Sequence, residues 1–302
     1  MTRVLITGGG GFVGRHLAAH ARAQGDDVTV VDVDCDVTDA SRVREVVRAA
    51  SPEVIYHLAA LASVADSWRD PTAYTRVNVL GTHHVLTAAR ELEGCAVVVV
   101  SSADVYGVVG ERDLPLLETH PPSPASPYAQ SKLEAEGFAR RVAREGQRVL
   151  IVRPFPHLGP GQSTRFAVPA LTARLLEARD RGLSSIAVGD LRVRRDYTDV
   201  RDVVRAYRLL SEFGRSGEIY HVASGHDVEL ARVAALLAQR LDLEVAFEVE
   251  PTLLRPVEVP VLRGSFAKIH EATGWEPVIT LSQSLDDVIR DVQERRRTGT
   301  LE

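Results

Sequence analysis

Two kinds of hydrophobic pattern alternate along the first half of the chain. Short apolar runs rich in Val and Ile occur at residues 4–6, 28–31, 54–58, 96–100 and 149–152. Between them, apolar residues recur at helical spacing, as in the series Val13, Leu17, Ala18 and Ala21. Strands that are apolar throughout and separated by amphipathic helices are typical of a parallel sheet covered on both faces. The sequence therefore predicts an α/β fold with a Rossmann-type doubly wound parallel sheet.

The pattern changes after Pro154. Pro and Gly cluster at residues 154–161, and the later elements are shorter and more mixed, with helical periodicity clearest at residues 229–241 and 281–297. We expect residues 1–155 to form a nucleotide-binding domain to which some later segments return. Residues 156–302 are expected to form, for the most part, a smaller mixed α/β substrate domain.

A glycine-rich turn follows the first predicted strand and opens a helix. Such a turn lets backbone N–H groups at a helix N-terminus approach a pyrophosphate. The residues expected to line it are Gly8, Gly10, Gly11, Phe12, Val13 and Gly14. Asp32 follows the second strand, where a carboxylate accepts the ribose hydroxyls and repels a 2′-phosphate. The sequence thus predicts NAD(H) or NADP(H) as cofactor, with NAD slightly favoured.

Tyr128 and Lys132 lie four residues apart, in a segment where Ser126 and Pro127 suit the N-cap and first position of a helix. Both side chains then share one helical face, and an ammonium beside a phenol lowers the phenol pKa. Lys132 is one of two lysines among 36 basic residues. Ser102 follows the fourth strand, where its hydroxyl can hydrogen-bond a substrate carbonyl. We expect Ser102, Tyr128 and Lys132 to be the catalytic residues.

These motifs, in this order, resemble the extended short-chain dehydrogenase/reductase family that acts on nucleotide-diphosphate sugars, and the resemblance covers nearly the whole chain. It implies a catalytic triad of Ser102, Tyr128 and Lys132, with Asn78 supporting the active-site backbone. Further residues expected at the cofactor are Asp36, Val37, Leu58, Ala59, Ala60, Asn78, Ser101, Tyr128, Lys132, Arg153 and Pro154.

The second half is similar to the GDP-6-deoxy-4-keto-mannose reductases of that family. The similar segments are residues 64–71, 153–162, 188–191 and 194–202. Arg195 and Arg255 are the candidates to clamp the substrate diphosphate, because a guanidinium makes bidentate, charge-assisted hydrogen bonds. The residues expected beside the sugar are Ser102, Ala103 and Asp104.

Two residues depart from the pattern of these reductases. Pro156 replaces the usual Asn, removing a side-chain amide and a backbone donor, and Glu258 replaces the usual Asp. Related 4,6-dehydratases carry an acidic pair after the Ser or Thr, whereas this chain has Ala103 and then Asp104. We therefore expect NAD(P)H-dependent reduction of the C4 keto group of an NDP-4-keto-6-deoxyhexose. An NAD-dependent 4-epimerase is the alternative, and a 4,6-dehydratase or a silent cofactor-binding protein is less favoured.

Composition narrows the class of protein further. The 41 acidic and 36 basic residues leave a net charge of −5, which argues against nucleic acid as a partner. Cys35 and Cys95 suggest neither a disulfide framework nor a thiolate metal site. We see no signal-peptide pattern and no apolar stretch approaching about 18 residues. We expect a cytoplasmic homodimer without membrane or metal, pairing through the Tyr128 helix and the helix before the fourth strand.

Overall fold

The structure, a computed structural model, describes residues 1–254 and 257–301. The strands are β1 (Arg3–Thr7), β2 (Asp27–Val31), β3 (Val54–His57), β4 (Ala96–Val100), β5 (Val149–Pro154), β6 (His157–Leu158), β7 (Ser185–Val188), β8 (Arg194–Asp196), β9 (Thr198–Asp199), β10 (Ile219–Val222), β11 (Asp227–Glu229), β12 (Ala246–Val249) and β13 (Val261–Leu262). The apolar runs of the first half thus coincide with β1 to β5.

The α-helices are α1 (Phe12–Ala23), α2 (Ala40–Ala50), α3 (Val64–Ser67), α4 (Pro71–Tyr74), α5 (Gly81–Ala89), α6 (Pro127–Arg144), α7 (Ala167–Arg181), α8 (Val200–Phe213), α9 (Leu230–Arg240), α10 (Ala267–Thr273) and α11 (Leu281–Arg297). A π-helical segment, Thr75–Leu80, joins α4 to α5, and 3-10 turns occur at Ala103–Tyr106, Glu111–Asp113 and Pro251–Leu253. The Tyr128 helix begins as predicted, since the Ser126 side chain accepts from the Ala129 N–H and Pro127 is the first helical residue.

Within the described residues, the central sheet has six parallel strands in the order β10-β5-β4-β3-β1-β2. The inner strands β3, β4 and β5 are buried almost throughout, as expected for strands with helices on both faces. The strand order reverses between β1 and β3, and ligands of such sheets bind at the carboxyl edge of this switch point. The predicted doubly wound sheet is confirmed.

Two apolar clusters cover the faces of this sheet. One contains residues of α1 and α8 together with Trp275, and the other contains residues of α2, α5 and α6. Although α8 and β10 follow residue 155 in the chain, they pack with the first region and extend its sheet. The domain boundary near residue 155 stays a prediction.

The rest of the second half has an apolar cluster of its own. Residues of α7, α9 and α11 pack with β7 in this cluster. Small sheets complete the region in the described chain: β11-β8-β13, β12-β7 and β6-β9. β6 follows the carboxyl end of β5 and pairs with β9, and the His157 ring of β6 stacks on the Phe12 ring at the start of α1. The second region therefore contacts the first at the carboxyl edge of the central sheet.

Candidate active site

The glycine turn between β1 and α1 is tightly packed on both sides. Gly8 has φ +68°, and a Cβ placed there would lie 2.6 Å from the Ala59 nitrogen. A Cβ on Gly14 would lie 2.5 Å from the Gly9 Cα, so only glycine lets α1 approach the turn. Gly11 is the N-cap of α1 and offers no capping side chain. The N–H groups of the first helical turn, which begins at Phe12 and Val13, therefore suit an anion.

The acidic segment after β2 lies beside this turn. The Asp32 carboxylate occupies the space that a side chain on Gly10 would need. Asp36 is exposed, and the hydrogen bond that it accepts from Thr38 lowers the pKa of its carboxyl group. Val37 is buried, and its side chain packs where a Cβ on Gly81 would lie. The structure thus brings Asp32 to the glycine turn, while the Val37 side chain points into the protein.

The turn after β3, at residues 58–60, is held from two directions. The Leu58 N–H donates to the Thr7 carbonyl at 3.1 Å, which fixes the turn against the end of β1. The Asn78 side chain accepts from the Leu61 N–H at 2.8 Å and donates to the Ser131 hydroxyl at 2.9 Å. Ala59 and Ala60 therefore lie between the glycine turn and α6, because Asn78 ties their loop to that helix.

Ser102 and Tyr128 meet where β4 ends and α6 begins. Both are nearly buried, and the Ser102 hydroxyl lies close enough to the Tyr128 phenol to lower its pKa. The Ser102 hydroxyl also donates to the Asp104 carboxylate at 3.1 Å, while Ala103 is buried beneath them. The Tyr74 ring meets the Tyr128 ring edge-on at 6.3 Å and fixes its orientation. A carbonyl oxygen at this point can accept hydrogen bonds from two hydroxyl groups.

Lys132 lies one turn further along α6. Burial lowers the pKa of its amine to about 8, and the Glu136 carboxylate acts in the opposite direction. The amine donates to the Val100 carbonyl at 2.9 Å. Burial raises the pKa of the Tyr128 phenol, the nearby Asp104 carboxylate raises it further, and the Ser102 hydroxyl lowers it. The sequence argument expected a lowered phenol pKa, but the cost of burying a phenolate dominates.

Two of the residues predicted at the cofactor direct their side chains into the protein. The Ser101 hydroxyl donates to the Glu136 carboxylate at 2.6 Å. The Arg153 guanidinium is 1% exposed and makes a bidentate ion pair with Glu136 at 2.8 and 2.7 Å. Only the backbone of Ser101 and of Arg153 is left for a cofactor, and Pro154 ends β5 beside them. Sequence reasoning missed Glu136, although its place four residues after Lys132 puts it on the same helical face.

The candidate substrate residues of the second half lie beyond the end of β5. Arg195 on β8 pairs with Glu258 at 2.7 Å, and its side chain is 12% exposed. Arg255 lies outside the described residues. The carbonyl of Pro156 accepts from the Thr198 N–H at 3.0 Å, which joins β6 to β9, while the Thr198 hydroxyl is buried without a hydrogen-bond partner in the described chain. The replacement of Asn by Pro therefore changes the lining at this point without breaking the backbone pairing.

Comparison with known proteins identifies the family. The profile of the NAD dependent epimerase/dehydratase family matches residues 4–223. The chain belongs to this family. It is 37% identical over 302 residues to the GDP-6-deoxy-D-mannose reductase of Pseudomonas aeruginosa, covering 98% of both chains. It is 27% identical over 278 residues to the GDP-6-deoxy-D-talose 4-dehydrogenase of Aggregatibacter actinomycetemcomitans, covering 90% of this chain and 91% of that one.

Solved structures agree with the sequence comparison. The structure of RMD from Pseudomonas aeruginosa complexed with NADPH has a TM-score of 0.89 and 36% identity, covering 98% of this chain and 100% of that chain. A Thermus thermophilus UDP-glucose 4-epimerase complexed with NAD has a TM-score of 0.86 and 29% identity, covering 96% and 99%. The chain is thus an NAD(P)-dependent oxidoreductase of the extended short-chain type.

Neither a membrane span nor a metal site is found in the described part of the chain. No helix there is both long and apolar enough to cross a bilayer. No group of three or more His, Cys, Asp or Glu residues there is arranged to hold a metal ion. Cys35 and Cys95 are both buried and unbridged.

Proposed function

We propose that this protein uses NAD(P)H to reduce the C4 keto group of an NDP-4-keto-6-deoxyhexose that resembles GDP-4-keto-6-deoxymannose. The observation that carries the proposal is the meeting of Ser102, Tyr128 and Lys132 at the end of β4. The identity of 37% to GDP-6-deoxy-D-mannose reductase over the same length supports this choice of substrate.

The site residues can supply what a ketone reduction needs besides hydride. The cofactor, when bound, supplies the hydride. Tyr128 donates a hydrogen bond to the carbonyl oxygen, Ser102 donates a second one when its hydroxyl turns from Asp104 to the substrate, and Tyr128 gives its proton to the alkoxide as it forms. Because burial raises the pKa of Tyr128, the phenol begins the reaction protonated at neutral pH. Lys132 lies on the same helical face, and its buried amine is held at the end of β4 by the Val100 carbonyl.

The substrate diphosphate is proposed to contact Arg195. Its side chain is largely buried yet paired with the partly exposed Glu258, so part of its positive charge is already compensated. A diphosphate carries more negative charge than a single carboxylate and can bind the exposed side of the Arg195 guanidinium. Arg255 is proposed as the second clamp residue from its place in the sequence.

The cofactor residues fit a dinucleotide, since a side chain at Gly8 or Gly14 would fill the turn. We propose that the pyrophosphate binds at the N-terminus of α1 and that Asp32 holds the adenosine ribose. A carboxylate at this point favours NADH, whereas the P. aeruginosa relative is described as complexed with NADPH. The rates of turnover with NADH and with NADPH, measured in the assay below, decide between the two cofactors.

The alternative is an NAD-dependent 4-epimerase. The similarity to the T. thermophilus UDP-glucose 4-epimerase favours it, because the chains match over 96% of this one at 29% identity. A dehydratase is less well supported, since Ala103 is a buried alanine where those enzymes are expected to carry an acid. A catalytically silent cofactor binder has no need for the buried Tyr128 and Lys132.

Assembly as a cytoplasmic homodimer is proposed as well. The expected pairing helices are α5 and α6, on which Phe138 is half-buried and contacts His83 at 4.9 Å between ring centroids. Leu80, just before α5, is 44% exposed. Val142 of α6 belongs to the core between the sheet and its helices and is not free for such an interface. Light scattering on the purified protein would show a dimer mass if the pairing is right and a monomer mass if it is wrong.

The absorbance of reduced nicotinamide tests the proposed reaction. GDP- and dTDP-linked 4-keto-6-deoxyhexoses are offered in turn, with NADH and then with NADPH. Oxidation of cofactor in proportion to added keto-sugar is expected, and the best pair identifies nucleotide and cofactor together. Conversion of the sugar without net cofactor oxidation would replace the reductase with the epimerase. Binding of NAD(P)H with no change in any sugar would indicate the silent protein.

A further inference from the structure

The face of α6 that carries Tyr128 and Lys132 continues to a third residue. Glu136 follows Lys132 by four positions, so the three side chains stack on one side of the helix. Each of them reaches a different residue of the same short segment. Tyr128 lies beside the Ser102 hydroxyl, Lys132 donates to the Val100 carbonyl, and Glu136 accepts from the Ser101 hydroxyl at 2.6 Å. The end of β4 is therefore held by α6 at consecutive residues.

Glu136 is itself held by a buried network. Arg153 binds both of its carboxylate oxygens and also donates to the Tyr106 hydroxyl at 2.7 Å. Tyr106 in turn is hydrogen-bonded to the imidazole of His221 on β10. All these side chains are buried, and Glu136 is only 1% exposed. The carboxylate cannot rotate away without leaving a buried guanidinium unpaired.

The network also holds two buried cations and one buried anion close together. Lys132 and Arg153 are cationic, and Glu136 binds the second while lying one turn from the first. Burial alone opposes a charged amine at position 132. A carboxylate fixed within the same dry region compensates that cost, and solvent cannot screen it.

We propose that Glu136 is a positioning residue of the active site, holding the end of β4 through Ser101 and keeping the buried Lys132 amine in its charged form. The inference rests on the proposed function only where turnover is measured. It assigns a role to a side chain that touches neither substrate nor cofactor. Glu136 acts on Ser102 through the neighbouring Ser101, and it acts on Lys132 through its negative charge.

The other groups around Lys132 do not supply this charge. The charged and titratable side chains around Lys132 and Glu136 are Tyr128 and Arg140 on α6, His57 on β3, Asp104 after β4 and Arg153 on β5, and the half-exposed Arg140 also pairs with Glu136 at 3.2 Å. Burial and the Lys132 charge lower the pKa of His57 to about 3, so His57 is neutral. Asp104 acts on Tyr128, and Glu136 is the carboxylate that raises the pKa of Lys132.

The scarcity of lysine makes the charge directly measurable. With only Lys132 and Lys268 in the chain, protein labelled with ¹³C at the lysine Cε gives two signals, and Lys268→Arg assigns them. The Lys132 signal of the wild type is expected to titrate with a pKa of about 8. Glu136→Gln should move this titration to lower pH. The matched control is Glu134→Gln, the same change on the exposed face of α6, which should leave it in place.

Glu136→Gln leaves Arg153 without its partner and can prevent folding. The double variant Glu136→Gln with Arg153→Gln removes both charges of the pair, and its Lys132 titration should lie at lower pH than that of Arg153→Gln alone, because the two proteins differ only in the Glu136 charge. A Lys132 titration that is the same in folded Glu136→Gln as in the wild type, or the same in the folded double variant as in Arg153→Gln, would overturn the proposal. Since it needs no substrate, this measurement stands even if no keto-sugar is reduced.

Turnover provides the second readout. Ser101→Ala keeps every charge and removes the hydroxyl that joins β4 to Glu136, so kcat should fall while KM for the sugar changes little. In Glu136→Gln, the loss of kcat on the alkaline side should begin at lower pH than in the wild type. Unchanged kcat in Ser101→Ala would refute the claim that Glu136 holds the end of β4.

Discussion

Replacing Gly8 by alanine tests whether the glycine turn is built for a cofactor. The substitution has two separate costs. The residue has φ +68°, where an L-residue costs about 1–2 kcal/mol. The new Cβ would also lie 2.6 Å from the Ala59 nitrogen, whereas ordinary contacts begin near 3.4 Å. Relief of that overlap requires a shift of about 0.8 Å, and overpacking of this kind typically costs about 1–3 kcal/mol.

Gly25→Ala is the matched control. Gly25 has φ +82°, but a Cβ there meets no atom within 4 Å. It should therefore lose only the conformational part, about 1–2 kcal/mol of unfolding free energy, whereas Gly8→Ala should lose about 2–5 kcal/mol in total. Urea unfolding of both variants measures these values. The difference between them isolates the overlap with the turn at residues 58–60.

The same displacement should weaken the cofactor site. Because Ala59 is proposed to lie along the cofactor, moving its backbone by most of an ångström should raise the Kd for NADPH or NADH at least tenfold, about 1.4 kcal/mol. Gly25 lies at the far end of α1, so its variant should bind as the wild type does. Fluorescence titration of the reduced cofactor gives both constants. Equal affinity of Gly8→Ala and Gly25→Ala would refute the placement of the cofactor against this turn.

Four further outcomes are expected. Tyr128→Phe keeps the ring contact with Tyr74 but loses the proton donor, so kcat should fall about 10²- to 10⁴-fold with cofactor affinity nearly unchanged, and retained turnover would exclude Tyr128 as the acid. Since the pKa of Lys132 is lowered to about 8, its amine loses the proton as pH rises through that value, and kcat should decline there; a decline starting only near pH 10 would contradict burial as the cause. Asp32→Ala should raise kcat/KM for NADPH relative to NADH, because it removes a carboxylate that repels the 2′-phosphate. Arg195→Met should raise KM for the sugar nucleotide much more than it lowers kcat, and an unchanged KM would remove Arg195 from the diphosphate site.

The glycine turn and the pairing of Tyr128 with Lys132 on one helix were predictable because their signals are local. A turn with the conformation of Gly8 requires glycine whatever packs around it, and the spacing of Tyr128 and Lys132 puts them on one face of any helix. The strands were visible as apolar runs because both faces of the sheet are covered. Each of these features depends on a few neighbouring residues, so it can be predicted without knowledge of the tertiary packing.

The directions of Ser101 and Arg153 could not be predicted in this way. Both lie where a strand is buried on both sides, so no alternation of polar and apolar residues shows which way a side chain points. Their partner Glu136 comes from α6, and the pairing depends on how that helix packs on the sheet. The return of β10 to the central sheet could not be predicted for the same reason, since this short strand pairs with β5 across the long stretch of chain that contains α7 and α8.

The near absence of lysine bears on why the site uses both kinds of cation. Arg153 makes two parallel hydrogen bonds to Glu136, a geometry that the planar guanidinium matches and that needs a permanent charge. Lys132 instead donates to a single backbone carbonyl, and burial brings its pKa to about 8, within reach of physiological pH. An arginine at position 132 would keep its charge under all conditions and is too broad to bind one carbonyl in the same space. Of the two cations, only the Lys132 ammonium therefore has a charge that its surroundings can change. The Glu136 carboxylate, which Arg153 holds in place, is proposed to keep that charge.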